Sequence, residues 1–117
     1  MNSNIFRYRD GNGNEYILTE KSRIIIEYIP VKPLFSSSGI YDGGDYIKKE
    51  ITKLQYRKII SILYEAIAKK EIQIKNRVKM SGMIIIQEKG KKKVYILEPL
   101  SKEIENIEKI LLEIIKN

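Results

Sequence analysis

Along the first thirty residues, apolar and polar positions alternate with a period of two, as in strands that bury one face of a sheet. Three such runs occur, "IFRYR", "EYILT" and "RIIIEYI", and the turn sequence "DGNG" joins the first two. The alternation puts one set of residues on a shared face: Phe6, Tyr8, Tyr16, Leu18, Ile24, Ile26 and Tyr28. We expect this apolar and aromatic face to pack in the core.

Two later segments have apolar residues at the three- and four-residue spacing of amphipathic helices. Thr52 and Gln55 fit a capping box at the start of the first helix, and Ser101 fits an N-cap for the second. The apolar positions are Tyr56, Ile59, Ile60, Leu63 and Ile67 in the first helix, and Ile104, Ile107, Leu111, Ile114 and Ile115 in the second. Each helix therefore has one face that can cover a sheet.

Four more runs read as strands: "DYIKKEI", "IQIKNRVKM", "MIIIQE" and "KKVYILE". In the second run, alternation places Ile72, Ile74, Val78 and Met80 on one side. The last two runs join near Lys89-Gly90 and are apolar on both faces, which predicts central strands. The chain should thus form a single α+β domain over residues 1–117. We expect a mainly antiparallel sheet of about six or seven strands with both helices on one face, in the order β-β-β-β-α-β-β-β-α.

The composition argues against most enzyme chemistry. The chain has no histidine and no cysteine, so the commonest general base and the usual transition-metal ligands are missing. It contains neither a phosphate-binding glycine loop nor a Gly-x-Ser-x-Gly nucleophile motif. Asp42 and Asp45 could form a carboxylate-only site, but they are also typical turn residues. We therefore expect no metal, no cofactor and no catalysis, with a carboxylate-only enzyme as a distant third hypothesis.

The stretch "FSSSGIYDGG", residues 35–44, follows two prolines and is too aromatic for a simple spacer. Its rings either fold back onto the core or contact a partner. The second alternative predicts a small protein-binding, inhibitor-like module that uses the irregular 30–45 loop. The candidate partner-binding residues are Phe35, Ser36, Ser37, Ser38, Tyr41 and Asp42.

The chain's charge supports a rival hypothesis. Residues 69–93 contain nine basic and two acidic residues, a surplus equal to the net charge of +7 for the whole chain. These lysines either lie solvated around aggregation-prone strands or bind a polyanion such as nucleic acid. The candidate residues are Lys75, Arg77, Lys79, Lys91, Lys92 and Lys93. Tyr95 is the only aromatic residue near them in the sequence, so no base-stacking platform is predicted.

The sequence also bears on the partner and the location of the protein. Strands that are apolar on both faces need cover on the second face, so the partner is another protein or a second copy of the chain. No apolar run is long enough to span a membrane. The segment "MNSNIFRYRD" does not resemble a signal peptide. We expect a soluble protein; the sequence leaves the compartment open and favours the cytoplasm over export.

Overall fold

The computed structural model describes residues 4–32, 39 and 42–116, and the predicted order of strands and helices is confirmed. The strands are β1 (Asn4–Arg9), β2 (Glu15–Glu20), β3 (Ile24–Ile29), β4 (Ile47–Glu50), β5 (Gln73–Ile74), β6 (Gly82–Glu88) and β7 (Lys91–Leu97). The helices are α1 (Lys53–Ala68) and α2 (Lys102–Lys116). The fold is α+β, as the sequence predicts.

All seven strands join in one antiparallel sheet with the order β4-β3-β2-β1-β6-β7-β5. In the middle of the sheet, Tyr8 lies opposite Tyr16 on one side and Ile84 on the other. Phe6 lies in the same way between Leu18 and Ile86, so the predicted apolar alternation of β1 and β2 extends into β6. All six of these side chains are buried.

Both helices pack on the face of the sheet that carries Phe6 and Tyr8, called here the helix-side face. The predicted capping box starts α1: the Gln55 amide donates to Thr52 Oγ1 at 3.1 Å, and the Thr52 amide donates to Gln55 Oε1 at 2.9 Å. The predicted stripe of α2 is buried along its whole length. Among the described residues, no helix is long and apolar enough to cross a membrane.

The strand predicted over residues 72–80 is wrong in its extent. Only Gln73 and Ile74 pair with β7; Ile72 lies in a short 3-10 turn. Because β5 and β6 flank β7 on opposite sides, the chain must cross the end of β7 to pass from one to the other. The crossing takes up residues 75–81, so Val78 and Met80 are exposed rather than buried. Met80 has φ 67°, which no strand residue adopts.

The prediction that β6 and β7 are both central holds for β6 alone. β6 pairs with β1 and β7 along most of its length. β5 pairs only with Ile96 and Leu97 of β7, so residues 91–95 lie on a sheet edge. Their lysines suit that position because charged side chains on an edge discourage pairing with another chain.

Candidate functional site

A cavity of about 200 Å³ lies at the β6–β7 hairpin, between α1 and the helix-side face. We call it the hairpin cavity. Its lining residues combine aromatic rings and amines: Tyr64, Ile86, Glu88, Lys89, Lys91, Lys93 and Tyr95. Two of these residues, Lys91 and Lys93, are among the basic residues that the sequence analysis identifies as candidates for polyanion binding.

Strand register explains how the hairpin supplies these side chains. Lys93 lies opposite Ile86, and Tyr95 lies opposite Ile84, so both share the face of those buried isoleucines. The two-residue alternation sends Lys91 to this face as well and Lys92 to the other. The predicted trio of lysines is therefore divided, with two at the cavity and one on the opposite face. Lys89 and Gly90, with φ 49° and 77°, form the tight turn between the strands.

Tyr64 comes from α1 and closes the other side of the cavity. Its hydroxyl donates to Glu88 Oε1 at 3.1 Å, and its ring meets Phe6 edge-on with centroids 6.2 Å apart. The side chain nevertheless remains 43% exposed. Burial, and then the Glu88 carboxylate, raise the pKa of the Tyr64 phenol above its usual value, so the hydroxyl stays protonated and uncharged at neutral pH.

The charges around the hairpin cavity are unbalanced. Lys89, Lys91 and Lys93 contribute three amines, and Glu88 is the only acidic side chain in the lining. Within the described part of the chain, none of these three amines lies within 4 Å of a carboxylate. All three are exposed. The cavity therefore offers positive charge that the fold itself does not neutralise.

The other predicted basic residues lie away from this cavity. Lys75, Arg77 and Lys79 belong to the 75–81 crossing, which leads into Gly82. Gly82 lies opposite Leu97, whereas Lys91 lies opposite Glu88 at the hairpin end. Six residues of strand separate these ends by roughly 20 Å. The structure therefore divides the basic segment into two groups.

Arg77 has a structural role within the crossing. Its guanidinium donates to the carbonyl oxygens of Ser81 and Asp10, each at 2.8 Å. These bonds tie the crossing to the β1–β2 turn. Lys75 and Lys79 are exposed and take part in no ion pair among the described residues. They provide a comparison for the cavity lysines, since they have similar exposure but do not line the hairpin cavity.

The structure describes only part of the proposed partner-binding loop. Phe35, Ser36, Ser37, Ser38 and Tyr41 lie outside the described residues. Asp42 is exposed at the end of the loop, where its Oδ1 accepts from the Gly44 amide at 3.0 Å. That hydrogen bond, and then the nearby Lys32 ammonium, lower the pKa of the Asp42 carboxyl. Asp42 therefore acts in the structure as a turn residue.

The base of the same loop is held firmly by its neighbours. Gly43 donates to the Val31 carbonyl oxygen at 2.7 Å and accepts from the Tyr28 hydroxyl at 2.6 Å. A Cβ on Gly43 would lie 2.0 Å from Asn14 Oδ1, so only glycine fits there. The two ends of the loop are thereby fixed side by side.

A second cavity, of about 290 Å³, lies at the opposite end of the sheet, beside the start of α2. Three carboxylates line it: Asp10, Glu105 and Glu108. Two of them serve the fold. Asp10 accepts hydrogen bonds from the Asn12 and Asn14 amides in the β1–β2 turn, and Glu108 accepts one from the Tyr8 hydroxyl at 2.7 Å. In the described ranges, no group of acidic side chains is arranged to hold a metal ion.

Sequence reasoning missed the contribution of Tyr64. It lies on the partly exposed side of α1, thirty-one positions before Tyr95, so no local pattern links the two rings. The signal available was a tyrosine outside the apolar stripe of an otherwise regular amphipathic helix. Tertiary packing of α1 on the β6–β7 hairpin brings the two tyrosines to one cavity.

Comparison of the chain with protein-family models, with curated proteins and with solved structures found no match in any of the three.

Proposed function

We propose that the protein is a non-enzymatic module that binds single-stranded nucleic acid at the hairpin cavity. The observation that carries this proposal is that two tyrosine rings line one opening together with three lysines that form no ion pair with any described residue. Aromatic rings that stack on bases, beside cations that contact phosphates, are the usual elements of a single-strand binding surface.

The two residue types have different tasks in this proposal. Lys89, Lys91 and Lys93 contact backbone phosphates, and this interaction releases condensed counterions. Tyr95 and Tyr64 present ring surface to an unpaired base. In a duplex the bases are already stacked on each other, so the rings would favour single strands.

The size of the cavity limits what it can hold. Typical small-molecule sites have volumes of about 300–1000 Å³, and the hairpin cavity is smaller, at about 200 Å³. It therefore suits one planar base better than a whole dinucleotide cofactor. The surrounding chain is basic, with a sequence pI of about 9.5, which attracts a polyanion to the site.

Fluorescence anisotropy with a labelled oligothymidylate, on the order of ten nucleotides long, tests the proposal. Three phosphate contacts predict that the logarithm of the binding constant falls with the logarithm of salt concentration, with a slope of about −2. Replacing Lys91 and Lys93 by glutamine should weaken binding and reduce the slope by about 1.4. Tyr95→Leu should weaken it by roughly 5- to 150-fold with little change in slope, because stacking does not depend on salt.

The matched control replaces Lys75 and Lys79 by glutamine, which removes the same charge from exposed positions at the other end of β7. This control variant should bind the oligonucleotide with most of the wild-type affinity. Adding Tyr95→Leu to it should weaken binding by the same factor as in the wild-type chain. If the two lysine pairs caused equal losses of affinity, the binding would reflect only the overall positive charge of the chain and not the hairpin cavity. No binding to the oligonucleotide at low salt would refute the proposal.

The hydrogen bonds that fix the two ends of the 30–45 loop support a second candidate function, the binding of another protein. A loop whose ends are fixed at Val31 and Gly43 loses less entropy when it binds a partner. On this proposal, Phe35 and Tyr41 are the aromatic anchors. Phe35→Ala and Tyr41→Ala should then leave the thermal midpoint almost unchanged. A clear drop in the thermal midpoint of both variants would instead indicate that the two rings pack in the core.

A further inference from the structure

The first half of α1 carries exposed positive charge on the side that continues from the hairpin cavity. Lys53 and Arg57 lie four residues apart, and Arg57 and Tyr64 lie seven apart, which is the spacing of side chains in one row along a helix. This row is called here the α1 flank. Both basic residues are exposed, and neither forms an ion pair with any described residue. The α1 flank therefore extends the positive charge of the cavity beyond Tyr64.

The helix follows the end of the sheet that contains the β6–β7 hairpin. Just before α1, the Ile51 amide donates to the carbonyl oxygen of Ile24, the first residue of β3, at 2.9 Å. Farther along, the Tyr64 hydroxyl donates to Glu88, the last residue of β6. Three strand spacings separate β3 from β6, roughly 14 Å, and the helix from Lys53 to Tyr64 is roughly 16 Å long. The start of β3 and the end of β6 lie at the same end of the sheet, so α1 crosses the strands along that end.

The charges of α1 are arranged in the opposite way to those of α2. The first turn of α2 contains Glu103 and Glu105, and its last turn contains Lys116, as the helix dipole favours. The first turn of α1 contains no acidic residue, and its last turn contains no basic one. Lys53 instead occupies the first helical position, where a positive charge opposes the dipole. The positive charge at this position therefore does not serve the stability of the helix.

We propose that the single strand bound at the hairpin cavity continues along the α1 flank, where Arg57 and Lys53 contact its next phosphates. This inference rests on the proposed function and adds the length of the ligand. Consecutive nucleotides of a stacked strand lie about 3.4 Å apart, so about five of them cover the roughly 16 Å from Tyr64 to Lys53. A stretched strand covers the same distance with fewer. The ligand is therefore a segment of several nucleotides rather than a mononucleotide.

The charge of this whole end of the sheet supports the path. The segments that form it are 20–23, 50–57 and 88–93. Together they contain eight basic and three acidic residues, a surplus of five positive charges. Two of the three carboxylates are also engaged by the fold, since Glu50 pairs with Arg23 at 3.9 Å and Glu88 accepts from Tyr64 at 3.1 Å. A polyanion is attracted along such an end rather than to one point of it.

The salt dependence of oligothymidylate binding tests the path. Three phosphate contacts at the hairpin cavity alone give a slope of about −2, and two more on the α1 flank steepen it to about −3.5. Lys53→Gln and Arg57→Gln should each weaken binding and reduce the slope by about 0.7. The thermal midpoint of Lys53→Gln should not fall, because the change removes a charge that opposes the helix dipole. A lysine that supported the fold would give the opposite result.

Lys58→Gln is the matched control. Lys58 is an exposed lysine of the same helix, but it lies about 120° around the axis from Tyr64. The control should keep the wild-type affinity and slope. A series of oligothymidylates from two to ten nucleotides gives a second control. The loss caused by Lys53→Gln should appear only at lengths of about five nucleotides or more, because shorter strands do not reach from the cavity to Lys53.

The failure of the path can be told apart from the failure of the proposed function. A wild-type slope of about −2, with losses from Lys91→Gln and Lys93→Gln but none from Lys53→Gln, would overturn the path and leave the hairpin site in place. Equal losses from Lys53→Gln and Lys58→Gln, or a loss from Lys53→Gln that is the same at every length, would also overturn it. No binding by the wild-type chain at low salt would refute the function and the path together.

Discussion

Each of the two cavities, at opposite ends of the sheet, contains a glutamate that accepts a hydrogen bond from a tyrosine. At the α2 end, the Tyr8 hydroxyl donates to Glu108 at 2.7 Å, and the Tyr8 side chain is only 2% exposed. At the hairpin end, the Tyr64 hydroxyl donates to Glu88 at 3.1 Å, and Tyr64 is 43% exposed. The same pair of residue types thus occurs once with the tyrosine almost fully buried and once with the tyrosine exposed.

The difference separates groups that hold the fold from groups that are available to a ligand. A buried hydrogen bond cannot be replaced by water, so its loss leaves a polar group unsatisfied. An exposed one exchanges easily with solvent or a ligand. Asp10 and Glu108 at the α2 end already accept hydrogen bonds within the fold. The three cavity lysines at the hairpin end form no ion pair among the described residues. For this reason we propose that the hairpin end binds a ligand, whereas the hydrogen bonds at the α2 end stabilise the fold.

The largest effect should come from crowding the Tyr8 hydroxyl. A Cβ on Gly82 would lie 2.7 Å from that oxygen and 3.1 Å from Ile104 Cγ1. Gly82→Ala should therefore lower the free energy of unfolding by about 1–3 kcal/mol, measured by urea denaturation. In a Tyr8→Phe background the missing oxygen leaves room, so the same change should cost less. Equal costs in both backgrounds would mean that Tyr8 does not fix this end of the sheet.

Removing one hydroxyl at each end gives a direct test of the comparison. Tyr8→Phe leaves the partly buried Glu108 without its donor and should cost about 1–2 kcal/mol of unfolding free energy. Tyr64→Phe exposes Glu88 to water and should cost less than about 0.5 kcal/mol. Both can be measured by urea denaturation. Similar losses for the two variants would erase the contrast between the ends.

A smaller effect should appear in the pH dependence of stability. Burial raises the pKa of the Glu108 carboxyl above its usual value of 4.5, although the Tyr8 hydrogen bond opposes this. A carboxyl with a raised folded pKa contributes stability below its unfolded pKa and loses it as pH rises through the folded pKa. The neutral Glu108→Gln variant lacks this loss. The melting temperature of wild type relative to this variant should therefore fall as the pH rises above the usual glutamate pKa of 4.5.

A constant difference between the two melting curves over that range would contradict the expected shift at Glu108. Tyr8 does not titrate in this pH range, because burial and the nearby Glu108 carboxylate raise the pKa of its phenol. The tyrosine therefore stays protonated at neutral pH and keeps donating. Any pH dependence that Glu108→Gln removes can then be attributed to the glutamate.

The sequence predicts correctly the features that depend on residues close together in the chain or on a strong periodicity. The capping box at Thr52 and the apolar stripe of α2 depend on residues within a few positions of each other, and both are confirmed. The 75–81 crossing was missed because its cause is topological: β5 and β6 flank β7, and no local pattern records that order. Alternation continued through Val78 and Met80, although the backbone there had to turn.

The candidate site could be predicted only in part, for a related reason. Lys91 and Lys93 were identified from the charge distribution, but their separation from Lys75 and Lys79 depends on the strand register. Tyr64 reaches the cavity through helix packing. Sequence patterns identify which face a side chain occupies, but not which distant residues share it.

The smallest expected effect on stability belongs to the cavity lysines. Replacing Lys91 and Lys93 by glutamine should change the free energy of unfolding by less than about 0.5 kcal/mol, because exposed charges without partners contribute little. Lys75→Gln with Lys79→Gln should behave alike in urea denaturation, although only the first pair should weaken oligonucleotide binding. A loss of more than about 1 kcal/mol from the first pair alone would show that these lysines support the edge of the fold. The hairpin end would then resemble the α2 end, and the division between stability and binding would fail.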